Sequence, residues 1–473
     1  MSKIVTYLGE VLKVYSVFQL MPLVVAAYYN EDPSLFIISS VFSLILGLSI
    51  HFYTSRRQKE IETGIMSLGE SFLLSVVSFL IICLLGSIPY LTLFNFNPFE
   101  ALFVSVSGFT TTGISLPYHT PLSVLFWHAE SLWIGGLGII LLFLFIITKI
   151  SRKNETIAQE EEELETHFRL FEVQGYTERF DSSLSKMISK LFSIYLFFTI
   201  VGILLLLLTG IGTYDSIVLA FSAISTGGFT SHNIIAQFSA RVIFVLCLIM
   251  LTGAIPFLVH FKLLKGMIKD FMRYISFYIS TLVVFISIGM LIKPKPETAF
   301  YVVSALTTTG QKLPHLSFFP PVLLMLIIFG MITGGNAGST AGGIKANRLL
   351  VALKSIGWYL RHIIAPKNAI IPLKVNKKKI EKDTLLYVLI FIFTYFLILG
   401  VTTFVFVCLG FKPVEALFLV SSALGNVGFS ITGLSLGMFA KTLLICLMIL
   451  GRLEIFPLLL LFYRLTRKTR FVT

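Results

Sequence analysis

The sequence predicts an all-α polytopic membrane protein made of four fused helix–loop–helix repeats in pseudo-fourfold arrangement, preceded by an extra N-terminal helix pair. Three observations predict it. The first is hydropathy: of 473 residues, 56% are hydrophobic and 13% charged, with mean hydropathy +0.90. Soluble chains carry about 25% charged residues. Many stretches here are long enough to cross about 30 Å of hydrocarbon, and such runs suit helices rather than barrel strands. The second is a phrase that occurs four times without gaps: EALFVSVSGFTTTG from Glu100, DSIVLAFSAISTGG from Asp215, ETAFYVVSALTTTG from Glu297 and EALFLVSSALGNVG from Glu415. Each has an acid, a serine seven residues on (Ser107, Ser222, Ser304, Ser422) and a glycine six after that (Gly113, Gly228, Gly310, Gly428). Four copies in one register make an internal repeat. The third is charge: net +13, with the strongly basic segments between repeats or at the C-terminus and the phrases inside repeats. The positive-inside rule then places the phrases toward the outer surface and both termini in the cytoplasm.

In chain order, residues 1–55 hold the N-terminal pair, with spans at about 14–27 and 35–51 around the acidic loop NEDPS. The first apolar run lacks a small-residue cleavage site, so no cleavable signal peptide is expected. Repeat one (56–150) has spans at about 70–93 and 120–149, the second containing WHAESLWIGGLGII. Its Gly135, Gly136 and Gly138 allow close helix approach, and His128 and Glu130 are ionisable groups inside a span, a functional pointer by default, with a polar contact near the outer surface as the plainer reading. Repeat two (151–265) opens on a polar segment, 150–187, with the acidic run EEEELE, then spans about 190–209 and 241–261. Repeat three (266–362) spans about 274–292, and its second span breaks at TGGNAGSTAGG before resuming at Ile344. Repeat four (363–473) follows a basic segment, 361–383, and spans about 384–409 and 439–463. The four cysteines lie in apolar spans without metal spacing, as inert thiols do.

Each phrase is too short to cross a bilayer: eight to ten helical residues reach roughly 12–15 Å. It must enter and return on one side. The acid suits a helix N-terminus, and the helix C-terminus, with its negative dipole end, then lies deep beside the Thr/Gly tail and favours a cation. Irregular backbone at that depth is tolerated where it is buried or lines a watery path. Four tails on one axis stack rings of oxygens that replace an ion's hydration shell: Thr111, Thr226, Thr308 and Asn426; Thr112, Gly227, Thr309 and Val427; Gly113, Gly228, Gly310 and Gly428. The phrase is thus a pore loop and the repeat a helix–pore-loop–helix unit around one ion pore. With no aligned carboxylate, these rings suit a desolvated monovalent cation better than a divalent one.

The break in repeat three has a reading of its own. Gly334, Gly335, Gly338, Gly342 and Gly343 destabilise a helix by about 1 kcal/mol each relative to alanine. Irregular backbone there should face the pore below the filter, offering Asn336, Ser339 and Thr340 to water or ions. Arg452, in GRLEIFP, lies inside the last span, where a guanidinium is costly to bury. It is placed to bond the loop's carbonyls and, by its charge, to obstruct a cation; Glu454 offers an alternative structural pair. Lys345 starts the resumed helix, and its plainest reading is a lysine snorkelling to the cytoplasm.

The four-copy span–filter–span unit, with WIGGLGII, STGGFTSHN, GGNAGSTAGGIK and GRLEIFPLL, resembles the Trk/Ktr/HKT superfamily of potassium transporters, over nearly the whole chain. The extra N-terminal pair and the length are most similar to its TrkH/TrkG-type bacterial uptake subunits. The resemblance implies potassium uptake through a gated pore with potassium at the filter residues, and a symporter coupled to protons or sodium as the alternative. It also implies a moving glycine loop as the gate, a homodimer, a cytosolic nucleotide-binding regulatory subunit of the TrkA type, and the bacterial cytoplasmic (inner) membrane. In the family the four filter glycines favour potassium, and a serine at the position of Gly113 goes with sodium. No cofactor and no nucleic-acid partner are expected, since the basic residues fall in loops between spans. The chain has no nucleotide-binding fingerprint of its own: its glycine runs lack a preceding strand and the P-loop Lys-Ser/Thr. Nor is it expected to be an enzyme, which would need clustered His, Asp or Glu in facing spans.

Overall fold

The computed structural model describes residues 2–56, 68–114, 116–117, 119–151, 184–230, 238–313, 319–366, 371–376, 378–430 and 436–455. The EEEELE run and the C-terminal basic tail lie outside them. The described residues are overwhelmingly helical. Five helices among them are long and apolar enough to span a membrane, and a sixth span is bent by 43° between Leu73–Leu85 and Ile88–Phe94.

The N-terminal pair starts earlier than hydropathy alone suggests. Helix α1 (Ser2–Phe18) runs almost directly into α2 (Met21–Tyr29), and α3 (Ser34–Arg56) returns beside α1. The early start is written in spacing rather than hydropathy: Ile4, Leu8, Leu12 and Tyr15 recur at helical intervals and are all buried.

Four similar units follow. The first comprises α4 (Leu68–Leu85), a 3₁₀ turn (Ile88–Phe94), the short α5 (Pro98–Phe109) and α6 (Leu122–Ser151). The second has α7 (Leu184–Leu208), the short α8 (Thr213–Ile224), α9 (Ala240–Ala254) and α10 (Phe257–Leu264). The third has α11 (Ile268–Ile292), the short α12 (Pro296–Leu306), α13 (Pro321–Thr333) and α14 (Ala346–Ile364). The fourth has α15 (Lys382–Cys408), the short α16 (Pro413–Leu424) and α17 (Met438–Leu453). Each short helix carries its acid in the first turn. Asn97 caps α5, accepting from the Phe99 and Glu100 amides, and α8, α12 and α16 have no side-chain cap. The acids therefore act on the helix dipole rather than as caps.

Each unit leans on the next. Helix α6 packs on α8, α9 on α12, α13 on α16, and α17 returns to α5, so the set closes on itself. A Lys441–Glu100 ion pair of 2.5 Å ties the last second helix to the first short helix at that closure.

Two second helices depart from expectation. The stretch read as one span over 241–261 is broken after Ala254, because Pro256 has no amide hydrogen to continue the ladder. The third unit's break extends to Lys345, whose φ of +80° delays helix resumption to Ala346. The basic 361–383 segment contains a short antiparallel pair, Lys374 opposite Lys379. Trp358 anchors it by donating to the Ile371 carbonyl at 2.6 Å.

Candidate functional site: a ring of four tails and the loop beneath it

The tails that follow α5, α8, α12 and α16 meet. A Cβ built on Gly113 would lie 1.6 Å from the Gly227 oxygen, on Gly228 1.9 Å from the Thr309 oxygen, on Gly310 1.6 Å from the Val427 oxygen, and on Gly428 1.6 Å from the Thr112 oxygen. Each third-ring glycine thus touches the second-ring carbonyl of the next unit, and the fourth touches the first. Only hydrogen fits at these positions. The backbone demands glycine as well, with φ between +61° and +80° at all four. The first-ring residues share one conformation too: Thr111, Thr226, Thr308 and Asn426 have φ of +52° to +56°, a left-handed state uncommon outside glycine. Threonine in that state is strained, and four equivalent instances mark it as a requirement of the tail's path.

The serine of the phrase, which the sequence singled out without giving it work, holds that path. Its carbonyl accepts the amides of the second ring: Thr112 to Ser107 at 2.9 Å, Gly227 to Ser222 at 2.8 Å, Thr309 to Ser304 at 2.9 Å and Val427 to Ser422 at 2.8 Å. In three units the third-ring amide goes to the same carbonyl, at 3.2–3.3 Å. Its hydroxyl then fixes the residue after the glycine, accepting from the Ile114 amide at 2.7 Å or donating to the Phe229 and Gln311 carbonyls. The tail's N–H groups are therefore spent on the short helix behind it. Its carbonyl oxygens, in all twelve ring residues, are buried and among the described residues accept no hydrogen bond. Buried carbonyls are nearly always paired, so this cluster of open acceptors stands out and has the chemistry to coordinate a cation.

The fourth tail departs from Thr-Thr-Gly in a way the structure accounts for. Asn426 donates from Nδ2 to the Met448 carbonyl at 2.8 Å and to Thr112 Oγ1 at 3.3 Å, bracing its tail against α17 and against the first unit. Val427 supplies only its carbonyl to the ring, so its side chain is free to be apolar.

A second register of glycines includes Gly135, which the sequence marked for close helix approach, and three others that it did not single out. Gly135, Gly253 and Gly451 sit where a Cβ would come within 2.2–2.4 Å of the Phe109, Ile224 and Leu424 carbonyls at the ends of their own short helices; Gly330 does the same more loosely, 3.2 Å from the Ala305 Cβ. They lie 22, 25, 23 and 20 residues after their third-ring glycines. Intervening loops of unequal length hide the repeat, and only packing shows it.

The glycine loop, 334–345, lies under the tails. Its neck closes through Ile344 to Ile332, Lys345 to Thr333 and Ala346 to Gly335 backbone bonds of 2.8–3.1 Å. The loop packs at the break between α9 and α10: the Asn336 amide bonds the Ala254 carbonyl at 3.0 Å, and Thr340 Oγ1 bonds the Gly253 carbonyl at 2.9 Å and the Ile224 carbonyl at 3.1 Å. The Gly342 amide donates to Thr308 Oγ1 at 2.7 Å. Gly334, Gly338 and Gly343 all have positive φ, and Gly335 packs against Ala341. Ser339 is buried and donates to the Asn336 carbonyl at 2.6 Å.

Arg452 is buried and its guanidinium forks across units. Nη1 donates to the Thr340 carbonyl at 2.7 Å, and Nη2 to the Gly135 and Gly136 carbonyls at 2.5 and 2.8 Å. Arg452 follows Gly451 as Gly136 follows Gly135, so it occupies the place of a glycine in the first unit. Glu454 does not neutralise it. That carboxylate pairs with Arg348 on α14 at 2.7 Å, and the Arg348 guanidinium lies 4.2 Å from the Phe391 ring. Lys345 does not snorkel; its ammonium turns back to the Ala341 carbonyl at 2.5 Å.

Among the described residues, the His128/Glu130 pair makes no hydrogen bond to a ring residue, although His128 lies against Phe229, directly after Gly228. His128 Nδ1 bonds the Tyr90 hydroxyl at 3.1 Å and its ring meets Phe229, while Glu130 is fully buried with no hydrogen-bond partner among the described residues. No group of three or more potential metal-ligating His, Cys, Asp or Glu side chains occurs among the described residues.

Arg348 sits 1% exposed, which sets an expected result. Glu454→Ala strands a buried guanidinium and should destabilise the protein by about 3–5 kcal/mol, whereas Arg348→Met with Glu454→Leu should recover most of that loss. Thermal melting of the two purified variants beside the wild type checks it; equal melting of the single and double variants would overturn it.

With the geometry set out, known proteins can be compared. The family model described as TrkH, a cation transport protein, matches residues 36–286 and 296–472. An uncharacterized cation transporter of Methanocaldococcus jannaschii is 32% identical over 98% of this chain and 95% of its own. The Trk system potassium uptake protein TrkH of Escherichia coli K12 is 26% identical, covering 96% of both chains. The crystal structure of the potassium transporter TrkH from Vibrio parahaemolyticus superposes with a TM-score of 0.80 at 25% identity, over 97% of this chain and 98% of that one. A fourfold phrase, a closed ring of open carbonyls and full-length similarity agree: this chain belongs to the TrkH family of cation transport proteins.

Proposed function

We propose that this chain is a potassium-uptake subunit that passes potassium ions across the cytoplasmic membrane through a gated pore. The observation that carries the reading is the stack of twelve buried ring carbonyls that accept no hydrogen bond among the described residues, closed from unit to unit by glycine contacts. Neutral oxygens at fixed spacing replace the hydration of a monovalent cation without the charge that would trap a divalent one. The relatives named as Trk potassium uptake proteins support potassium as that cation. The filter is Thr111–Gly113, Thr226–Gly228, Thr308–Gly310 and Asn426–Gly428. The gate is the loop of Gly334, Gly335, Asn336, Gly338, Ser339, Thr340, Gly342 and Gly343, held by Arg452.

The basic segments between repeats support a topology with both termini in the cytoplasm. A homodimer is supported by the apolar stripe of α14, where Leu353, Ile356, Leu360 and Ile363 are all more than half exposed. A nucleotide-binding cytosolic subunit of the TrkA type is the proposed regulator, in keeping with relatives named as parts of a Trk system.

Rubidium uptake into liposomes holding the purified protein tests the reading. Potassium should compete with rubidium about tenfold or more better than sodium or lithium, and calcium should compete weakly. Equal competition by sodium and potassium would remove the potassium assignment, and uptake that requires an imposed proton or sodium gradient would favour symport.

A further inference from the structure

We propose that Thr308 latches the glycine loop to the filter, so that the innermost cation ring is completed only when the loop leaves. The inference rests on the loop being the gate. It comes from an inequality among the four first-ring side chains, all buried and in one backbone conformation. Thr111 Oγ1 has no hydrogen-bond partner among the described residues. Thr226 Oγ1 donates to the Ser225 carbonyl at 2.7 Å. The Asn426 amide braces α17 and Thr112. Thr308 alone reaches the loop, accepting the Gly342 amide at 2.7 Å.

That bond does two things. It anchors the loop directly to the filter, alongside its anchors on the Ile224, Gly253 and Ala254 carbonyls and on Arg452. It also aims the positive end of an N–H dipole at a side-chain oxygen of the innermost filter ring. Gly342 cannot settle elsewhere while seated, because its Cα lies against the fourth unit: a Cβ there would be 2.1 Å from the Gly425 oxygen. A cation in the innermost ring and the Gly342 amide therefore compete for Thr308 Oγ1. By linkage, the loop's departure strengthens ion binding at that ring, and the bound ion favours the departed loop by the same factor. The filter's occupancy then biases the gate.

Thiol labelling of Ser339→Cys reads the loop directly, in the full chain with its four native cysteines replaced by alanine and held in lipid nanodiscs. Potassium in place of choline should speed labelling about three- to tenfold, the scale of one neutral hydrogen bond. Thr308→Val should label at the faster rate in either salt, and Thr308→Ser should keep the wild-type response. Slow labelling in Thr308→Val, or labelling that still responds to potassium, overturns the latch; Thr308→Ala is read the same way where the valine variant does not fold. Arg452→Ala separates the two levels. If it speeds labelling and Thr308→Val does not, the latch falls and the gate stands. If neither does, both fall.

Discussion

Arg452→Ala is expected to raise rubidium flux through the isolated protein on the order of 10- to 100-fold. The guanidinium makes three charge-assisted hydrogen bonds, to the Thr340, Gly135 and Gly136 carbonyls, each contributing about 1.5–3 kcal/mol. They join three units: the loop of the third, the second helix of the first and the helix of the fourth that carries Arg452. Alanine removes the join and the positive charge together. Arg452→Lys tells these apart, because an ammonium keeps the charge but lacks the planar fork that spans both carbonyl sites. Flux near wild type in the lysine variant points to charge as the barrier, and flux near the alanine variant points to the strut. Unchanged flux in well-folded Arg452→Ala protein would refute the gate.

Gly113→Ser is expected to abolish most of the preference for potassium over sodium, with the sodium needed to compete with rubidium falling about tenfold. The serine Cβ would sit 1.6 Å from the Gly227 carbonyl oxygen, at a φ of +66°. A left-handed conformation alone costs an L-residue roughly 1–2 kcal/mol. The overlap forces the second unit's carbonyl to move, so the ring loses the fixed spacing on which discrimination depends. Gly428→Ser, with the same overlap against the Thr112 oxygen, should act alike, since the ring has no privileged member. Gly410→Ser is the control: it too has positive φ, but no atom stands within 4 Å of its Cβ, so it should lose only stability. An unaltered sodium-to-potassium competition ratio in Gly113→Ser would separate this contact from selectivity.

Much of this architecture was legible in the sequence because it is local. Acid, serine and glycine recur at fixed intervals since one short helix and one turn always need the same number of residues. Hydropathy gave the spans, and glycine density gave the break at 334–343, whereas the early start of α1 needed the Ile4–Leu8–Leu12 spacing instead. The break after Ala254 was also in plain view at Pro256. A span counted by apolar content alone ran across it.

What stayed hidden was partnership. The Arg452 bond to the loop's Thr340 carbonyl was expected, but nothing in the chain order says that Glu454 goes to Arg348, that Arg452 also reaches the Gly135 and Gly136 carbonyls, that Lys345 turns inward, or that Thr308 holds Gly342. The glycines at 135, 253, 330 and 451 form a fourth register that loops of unequal length scramble. The sequence by itself determined four repeats and the oxygen-bearing tails, because helix periodicity and hydrophobic transfer act within a segment. Only the tertiary structure decided how the tails close into a ring and what pins the loop beneath them. Those contacts join residues as far apart as Gly135 and Arg452, and their energies depend on distances that chain order does not encode.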